Sequence, residues 1–436
     1  MSDTASFDLA KPVSDHLITH FVQSPTPYHT VAHLVELATG WGFTELNEGN
    51  QWHAEPGDKV IIRRDGSIIF VVLGSEPLAD HGLRLIGAHT DSPTYKIRPH
   101  AMRETGGMQL LNVEPYGGIL HSSWFDRDLT VAGRVILQDG SCHLVHLERS
   151  CTRIANVAIH LTDRDGTGTA FNAQTKTRPI WGLSGDPTLY DVIAQALDIT
   201  PGDILTHDLV LVPTEQPLVS GASQRFFSAA RQDNLLGTFT AVHALMDAVH
   251  TQPVTPFSRA VVCYDFEEIG SETNTGAGGP FVQESLARLV HAQGGDTEAV
   301  YRMIAKSGLV SLDVAHGWHP NYADRYDDTE YPLLGGGPCL KVHANQSYAT
   351  TGLTAAWAHL AATQAEVPLQ TFTSRADQRC GSTIGPITAT RLGIATVDVG
   401  QPIIGMHSIR ELSHLDDADT TTAFLSACLN IPILPF

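Results

Sequence analysis

Between residues 232 and 400, segments of helical period alternate with short continuous apolar runs, and this alternation leaves few folds open. Leu235, Phe239, Val242, Met246 and Val249 step by 4, 3, 4 and 3 residues, one face of a helix, and the strand-type run 260–264 follows. Further helices are expected at 280–292, 351–363 and 384–392, and further strands at 309–312 and 394–399. Upstream, Ser14 is placed to cap a helix ending near Gln23. A second helix is expected over 30–39, closed by Gly40, and strands are expected over 59–63, 67–73 and 83–88. Strand and helix alternating in this way predict an α/β fold, a mostly parallel sheet with helices on both faces, whose ligands gather beyond the C-terminal strand ends.

From about 98 to 227 the texture changes to short β-type runs, 129–137, 143–147 and 209–212, broken by Gly, Pro and Asp-Gly turns. This predicts an inserted β-rich domain over 98–227, splitting the α/β domain into 1–97 and 228–436. A chain of 436 residues, 42% hydrophobic and 17% charged, has material for such a core. Its net charge of −20 argues against nucleic acid or an anionic membrane as the main partner. The longest strongly apolar run, 68–73, is too short to span a bilayer, and residues 1–10 lack the pattern of a secretory signal, so the cytoplasm is the expected compartment. Six scattered cysteines without a Cys-x-x-Cys pair indicate neither a disulfide framework nor a thiolate zinc cluster.

Phosphate-loop, dinucleotide, His-Glu-x-x-His and serine-elbow motifs are missing. The Gly-rich stretch 270–279 follows a strand but has no lysine to hold a phosphate, and 381–385 reads as a tight turn into a helix. What remains is a set of acidic and imidazole groups at strand ends: His89 and Asp91, Glu267 and Glu268, Asp313 and His407, with Asp233 at a helix start. Converging carboxylates repel unless a cation compensates them, and mixed His and Asp/Glu ligands suit Zn²⁺, or Co²⁺ and Mn²⁺. Two metals about 3.5–4 Å apart need one bridging carboxylate and two further ligands each, which these residues supply with Glu267 left over. In an extended segment Glu267 and Glu268 would point to opposite sides, one ligating and the other facing a water as general base. Asp91 is placed to accept the His89 imidazole N–H. Taken singly, Asp233 reads as an N-cap, the Glu pair as solvated surface and His89 as a hydrogen-bonded loop residue.

The motifs GAHTDSP at 87–93, WFDRDL at 124–129, QDN at 232–234, EEIGS at 267–271, DVAH at 313–316 with HPNY at 319–322, and MHSIRE at 406–411 resemble the aspartyl aminopeptidase family of dinuclear zinc exopeptidases. They run in order through nearly the whole chain. The resemblance implies a zinc exopeptidase-like α/β domain interrupted by a β-rich dimerisation domain, with dimers assembling to a tetrahedral dodecamer. It implies removal of N-terminal Asp or Glu from peptides with two Zn²⁺ per subunit. Asp233 would bridge the metals, His89 and Asp313 would complete one site, Glu268 and His407 the other, and Glu267 would be the base. Substrate contacts would fall on His160, which would reach a neighbouring subunit's site, and on His316, Lys341 and Tyr348, with Arg375 or Arg379 as alternative cations. Gln232 and Phe266 stand where the family usually has an apolar and a polar residue. The other readings are an aminopeptidase acting on neutral N-terminal residues, and a scaffold that keeps the fold without the activity.

Overall fold

The computed structural model describes residues 11–161 and 172–436. A nine-stranded sheet has the spatial order Thr44–Glu45, Lys59–Arg64, Ser67–Val72, Ser258–Tyr264, Leu83–His89, Gly308–Leu312, Ala395–Gly400, Cys339–Val342 and Gln370–Thr373. Its four central strands, from Ser258–Tyr264 to Ala395–Gly400, are all parallel. Antiparallel pairing enters only towards the two edges, at Ser67–Val72 and at Cys339–Val342. The central strands are buried on both faces, which is why they read as continuous apolar runs instead of alternating ones. Ile86, Val261, Val310 and Val397 pack with helices Pro27–Gly40, Gln232–Thr251, Gly352–Ala365 and Leu415–Asn430. Their neighbours Leu85, Val262 and Leu309 pack on the opposite face with Phe281–Ala292 and Thr297–Ala305.

A six-stranded antiparallel sheet, drawn wholly from residues 94–213, forms a third core around Tyr95, Trp124, Val131 and Leu209. This inserted sheet carries one helix absent from the sequence reading, Leu189–Leu197, started by a capping box of Thr188 and Asp191. Helices Thr297–Ala305 and Leu415–Asn430 were likewise not foreseen.

Several local expectations need correction. Ser14 does not cap a helix. It lies in a 3-10 turn, Val13–Asp15, and its amide and hydroxyl bond Asp419. The second helix runs Pro27–Gly40, and the left-handed glycine after it is Gly42, φ 81°, not Gly40. Helix Gln232–Thr251 is buried almost all round, so its 4-3-4-3 stripe does not mark a boundary with solvent.

Of the 22 histidines of the sequence, three form a largely buried row at this helix. His20 Nδ1 lies 2.9 Å from His33 Nε2, and His20 Nε2 lies 3.0 Å from His243 Nε2, with Phe239 stacked on the His20 ring. Each contact holds a single proton between two ring nitrogens, a pattern that three neutral imidazoles supply without burying a charge. Burial, reinforced by neighbouring imidazoles, holds His20 well below its usual value; burial puts His33 at about 4 and, with His16, puts His243 at about 3. Because the unfolded chain takes up these protons near pH 6.5 and the folded one does not, stability is complete above that pH and falls as pH drops. At pH 5 the loss should be about 2 kcal/mol for His243 alone. Melting curves at pH 7 and pH 5 should show a smaller acid loss for His243→Gln than for the parent, and equal losses would exclude a neutral chain.

Candidate metal centre

The four parallel strands end on one edge, and each sends its next residues to the same place. His89 is the last residue of Leu83–His89, and Asp313 directly follows Gly308–Leu312. Glu267 and Glu268 come three and four residues after Ser258–Tyr264, and His407 lies in the loop beyond Ala395–Gly400. Asp233 reaches them from the opposite side, at the start of Gln232–Thr251. It is not a cap: its carboxylate faces two imidazoles, and no side-chain cap bond starts this helix.

The geometry around Asp233 is two-sided. Its Oδ1 lies 3.3 Å from His89 Nε2, which is 3.6 Å from Asp313 Oδ1. Its Oδ2 lies 3.2 Å from His407 Nε2, which is 3.5 Å from Glu268 Oε2. Ligand atoms of His89, Asp233 and Glu268 all fall within 4.8 Å of one another. Among the described residues, His89 Nε2, Glu268 Oε1 and Asp313 Oδ1 are buried without a hydrogen-bond partner. Polar atoms that converge at 3.3–3.6 Å without bonding one another leave their lone pairs for something between them, and a His, Asp and Glu donor set fits zinc.

Electrostatics agree with a site suited to a cation. Burial raises Glu267 to about 8, helped by Asp313, Asp91 and Asp233 against the opposing pull of His89. Burial and Asp233 likewise push Glu268 well up. Desolvation opposes protonation of His407, but its contact with Asp233 raises it to about 9. A cluster that favours protonation in this way is one that a bound cation would stabilise.

The Glu pair does not sit in an extended segment. Phe266, φ 68°, turns the chain out of the strand, and Glu267–Ile269 is a single 3-10 turn that separates the two side chains. Arg231 and His407 share this left-handed backbone, at φ 64° and 65°. Three non-glycine residues held there, each at or beside a candidate ligand, are local strain fixed by surrounding structure.

Asp91 takes the place expected of it and does more. Its backbone O and side-chain Oδ1 lie 3.1 and 3.4 Å from His89 Nδ1, while its carboxylate accepts the amides of Glu267 and Glu268, each at 3.1 Å. Glu411 has a parallel role that was missed, although it ends the 406–411 motif. Only 2% exposed, it accepts the amides of Gln232 (2.7 Å) and Asp233 (3.2 Å) through Oε2 and that of His407 (2.8 Å) through Oε1. Gln232 packs beside it, its Nε2 donating to the carbonyls of Phe227 and Glu411.

Lys341 is 2% exposed, with Nζ 3.9 Å from Asp313 Oδ2 and 5.3 Å from the centre of the buried Tyr348 ring. His316 lies on the same side against Phe372, its imidazole held below the usual range by burial and then by Lys341. These three flank Asp313. His160 does not join them; it is exposed in a short turn, Ile159–Leu161, of the inserted unit. The Gly-rich stretch 270–279 packs on itself, a Cβ at Gly276 falling 2.4 Å from Ser271 O, which accounts for its glycines without a phosphate.

Residues 20–428 match the model of the aminopeptidase I zinc metalloprotease (M18) family. A probable M18 family aminopeptidase 2 from Ectopseudomonas mendocina is 40% identical over 423 residues, 94% of this chain and 96% of that protein. Among solved structures, Ape4 in its complex with Nbr1 superposes with a TM-score of 0.92 at 33% identity, over 99% of this chain and 87% of that one. The mApe1 dodecamer of S. cerevisiae gives 0.84 at 26% identity, over 95% of each chain. With its fold, its acidic and imidazole cluster and its full length in agreement, the chain belongs to the M18 family of zinc metalloproteases and is a metal-dependent aminopeptidase.

Proposed function

We propose that this aminopeptidase holds two zinc ions per subunit and removes N-terminal Asp or Glu from peptides. The observation that carries the dinuclear reading is the division of Asp233, one oxygen toward His89 and Asp313 and the other toward His407 and Glu268. In this reading Asp233 bridges and the other four complete the two sites; Co²⁺ or Mn²⁺ would suit the same donors. Bound zinc would polarise the scissile carbonyl and acidify a water. Glu267 would accept a proton from the attacking water and return it to the leaving amine, while Asp91 would hold His89 in one tautomer. Lys341 binds the acidic side chain, and His316 and Tyr348 line the same wall.

We further propose a homo-oligomer, dimers assembling to a dodecamer, with 98–227 as the dimerisation unit between 1–97 and 228–436. The solved mApe1 dodecamer supports it, as do Val157, Ile159 and Leu161, which stand 56%, 79% and 76% exposed around His160. A turn so apolar is suited to burial against a second copy, from which His160 would reach the neighbouring site. A cytoplasmic setting agrees with the absence of disulfides among the described residues. No helix of the described residues is long and apolar enough to cross a membrane.

One experiment tests the whole reading: peptide hydrolysis on species separated by size, before and after chelation. Activity should run with the oligomer, disappear on metal removal, return with zinc, and be lost when the substrate's α-amine is acetylated. A fully active monomer would exclude a shared site, and cleavage of the acetylated peptide at the parent rate would exclude an aminopeptidase.

A further inference from the structure

The inserted sheet meets the metal centre at the corner Tyr116-Gly117-Gly118, where strand Met108–Tyr116 ends. The Tyr116 hydroxyl donates to Asp91 Oδ2 at 2.7 Å, the same carboxylate that faces His89 Nδ1 and accepts both glutamate amides. Two residues on, Gly118 O lies 2.9 Å from His407 Nδ1, and the Leu120 amide donates to His407 O at 3.1 Å. The two glycines leave no spare room. A Cβ at Gly117 would stand 3.1 Å from Glu268 Cβ, and one at Gly118 would stand 3.0 Å from His407 Nδ1.

A carbonyl facing Nδ1 fixes the imidazole with its proton there and its Nε2 lone pair directed away, towards Asp233 and Glu268. A phenol donating to Asp91 Oδ2 restrains the residue whose backbone O, at 3.1 Å, and Oδ1, at 3.4 Å, both face the other imidazole's Nδ1. One tripeptide thus sets ring orientation on both sides of Asp233, although it belongs to the sheet assigned above to assembly. We propose that this corner is a positioning element of the metal centre, so that docking of the inserted sheet and metal affinity are coupled. The inference rests on the two-metal reading.

Tyr116→Phe and Gly118→Ala test it, with Gly202→Ala as control, since a Cβ at Gly202 has nothing within 4 Å. Zinc affinity is read by competition with a chelator of known strength, the ligand field by the absorption of the Co²⁺-loaded protein, and the fold by melting of the metal-free protein. Both variants should bind zinc about 10–100-fold more weakly and shift the Co²⁺ spectrum. They should also lower kcat more than they raise KM, while metal-free melting stays close to the parent and the control changes nothing. Parent-like zinc affinity and Co²⁺ spectra in both variants would overturn the inference, whatever their melting. A parent that binds no zinc would instead overturn the metal reading on which it stands.

Discussion

Glu267→Gln should lower kcat about 10²–10⁴-fold while zinc content stays at the parent level. The substitution keeps size and shape and removes only the ability to accept a proton. Glu267 sits in the 3-10 turn with its amide held by Asp91, among carboxylates that, with burial, raise its proton affinity to about 8 when no cation is present. Cations between the imidazoles and Asp233 would oppose that shift and favour the carboxylate form, which is the one able to accept a proton. Glu268 is set apart from this role by its place, its Oε2 3.5 Å from His407 Nε2 in the cluster read here as a metal site. Single-turnover hydrolysis with metal analysis on the same sample separates the roles. Parent-like rates would place the base elsewhere, and loss of zinc together with rate would make Glu267 a ligand.

The sheet and the sites at its edge were legible because parallel strands buried on both faces must be continuously apolar and must end where the loops turn polar. That logic located His89, Asp313 and the Glu pair without reference to their three-dimensional neighbours. It failed where tertiary contacts decide. Asp233 looks like a cap from its place in the chain, and only the imidazoles on either side reveal otherwise. The two glutamates diverge because of a 3-10 turn after Phe266, a bulky residue at φ 68° that no propensity would place there. Helix Leu415–Asn430 was invisible because it buries polar side chains, Asp417 accepting the amides of Gly335 and Gly337 from a distant loop. Glu411 and Tyr116 were silent for a related reason. Glu411 joins the amide of nearby His407 to those of distant Gln232 and Asp233, and Tyr116 meets the carboxylate of Asp91 on another strand end, and such contacts leave no spacing pattern to read.

Lys341→Met should remove most of the discrimination between acidic and neutral substrates. With a net charge of −20 the overall field repels an acidic peptide, so a preference for Asp or Glu needs a local cation that distant carboxylates cannot cancel across a Debye length of about 8 Å. Lys341 meets that need: it is buried on a strand beside the centre, and its nearest carboxylate, Asp313 at 3.9 Å, is turned as well towards His89. Arg375 is a weaker candidate because Asp377 already takes its Nε and Nη2 at 2.9 and 2.8 Å, and Arg379 is exposed. A neutral P1 residue would leave the buried lysine without its substrate partner, a cost of about 2–4 kcal/mol, which corresponds to roughly 30–900-fold in kcat/KM. The parent should therefore favour Asp- and Glu-terminated over Leu- and Ala-terminated substrates by that factor, and the methionine variant should bring the ratio to within about tenfold with zinc content unchanged. Equal parent rates on Asp and Leu would favour the broad-specificity reading, in which Lys341 serves only to neutralise Asp313. An acidic preference surviving in Lys341→Met would move the specificity cation to another residue, and the partner subunit's side of the cleft would be the place to seek it.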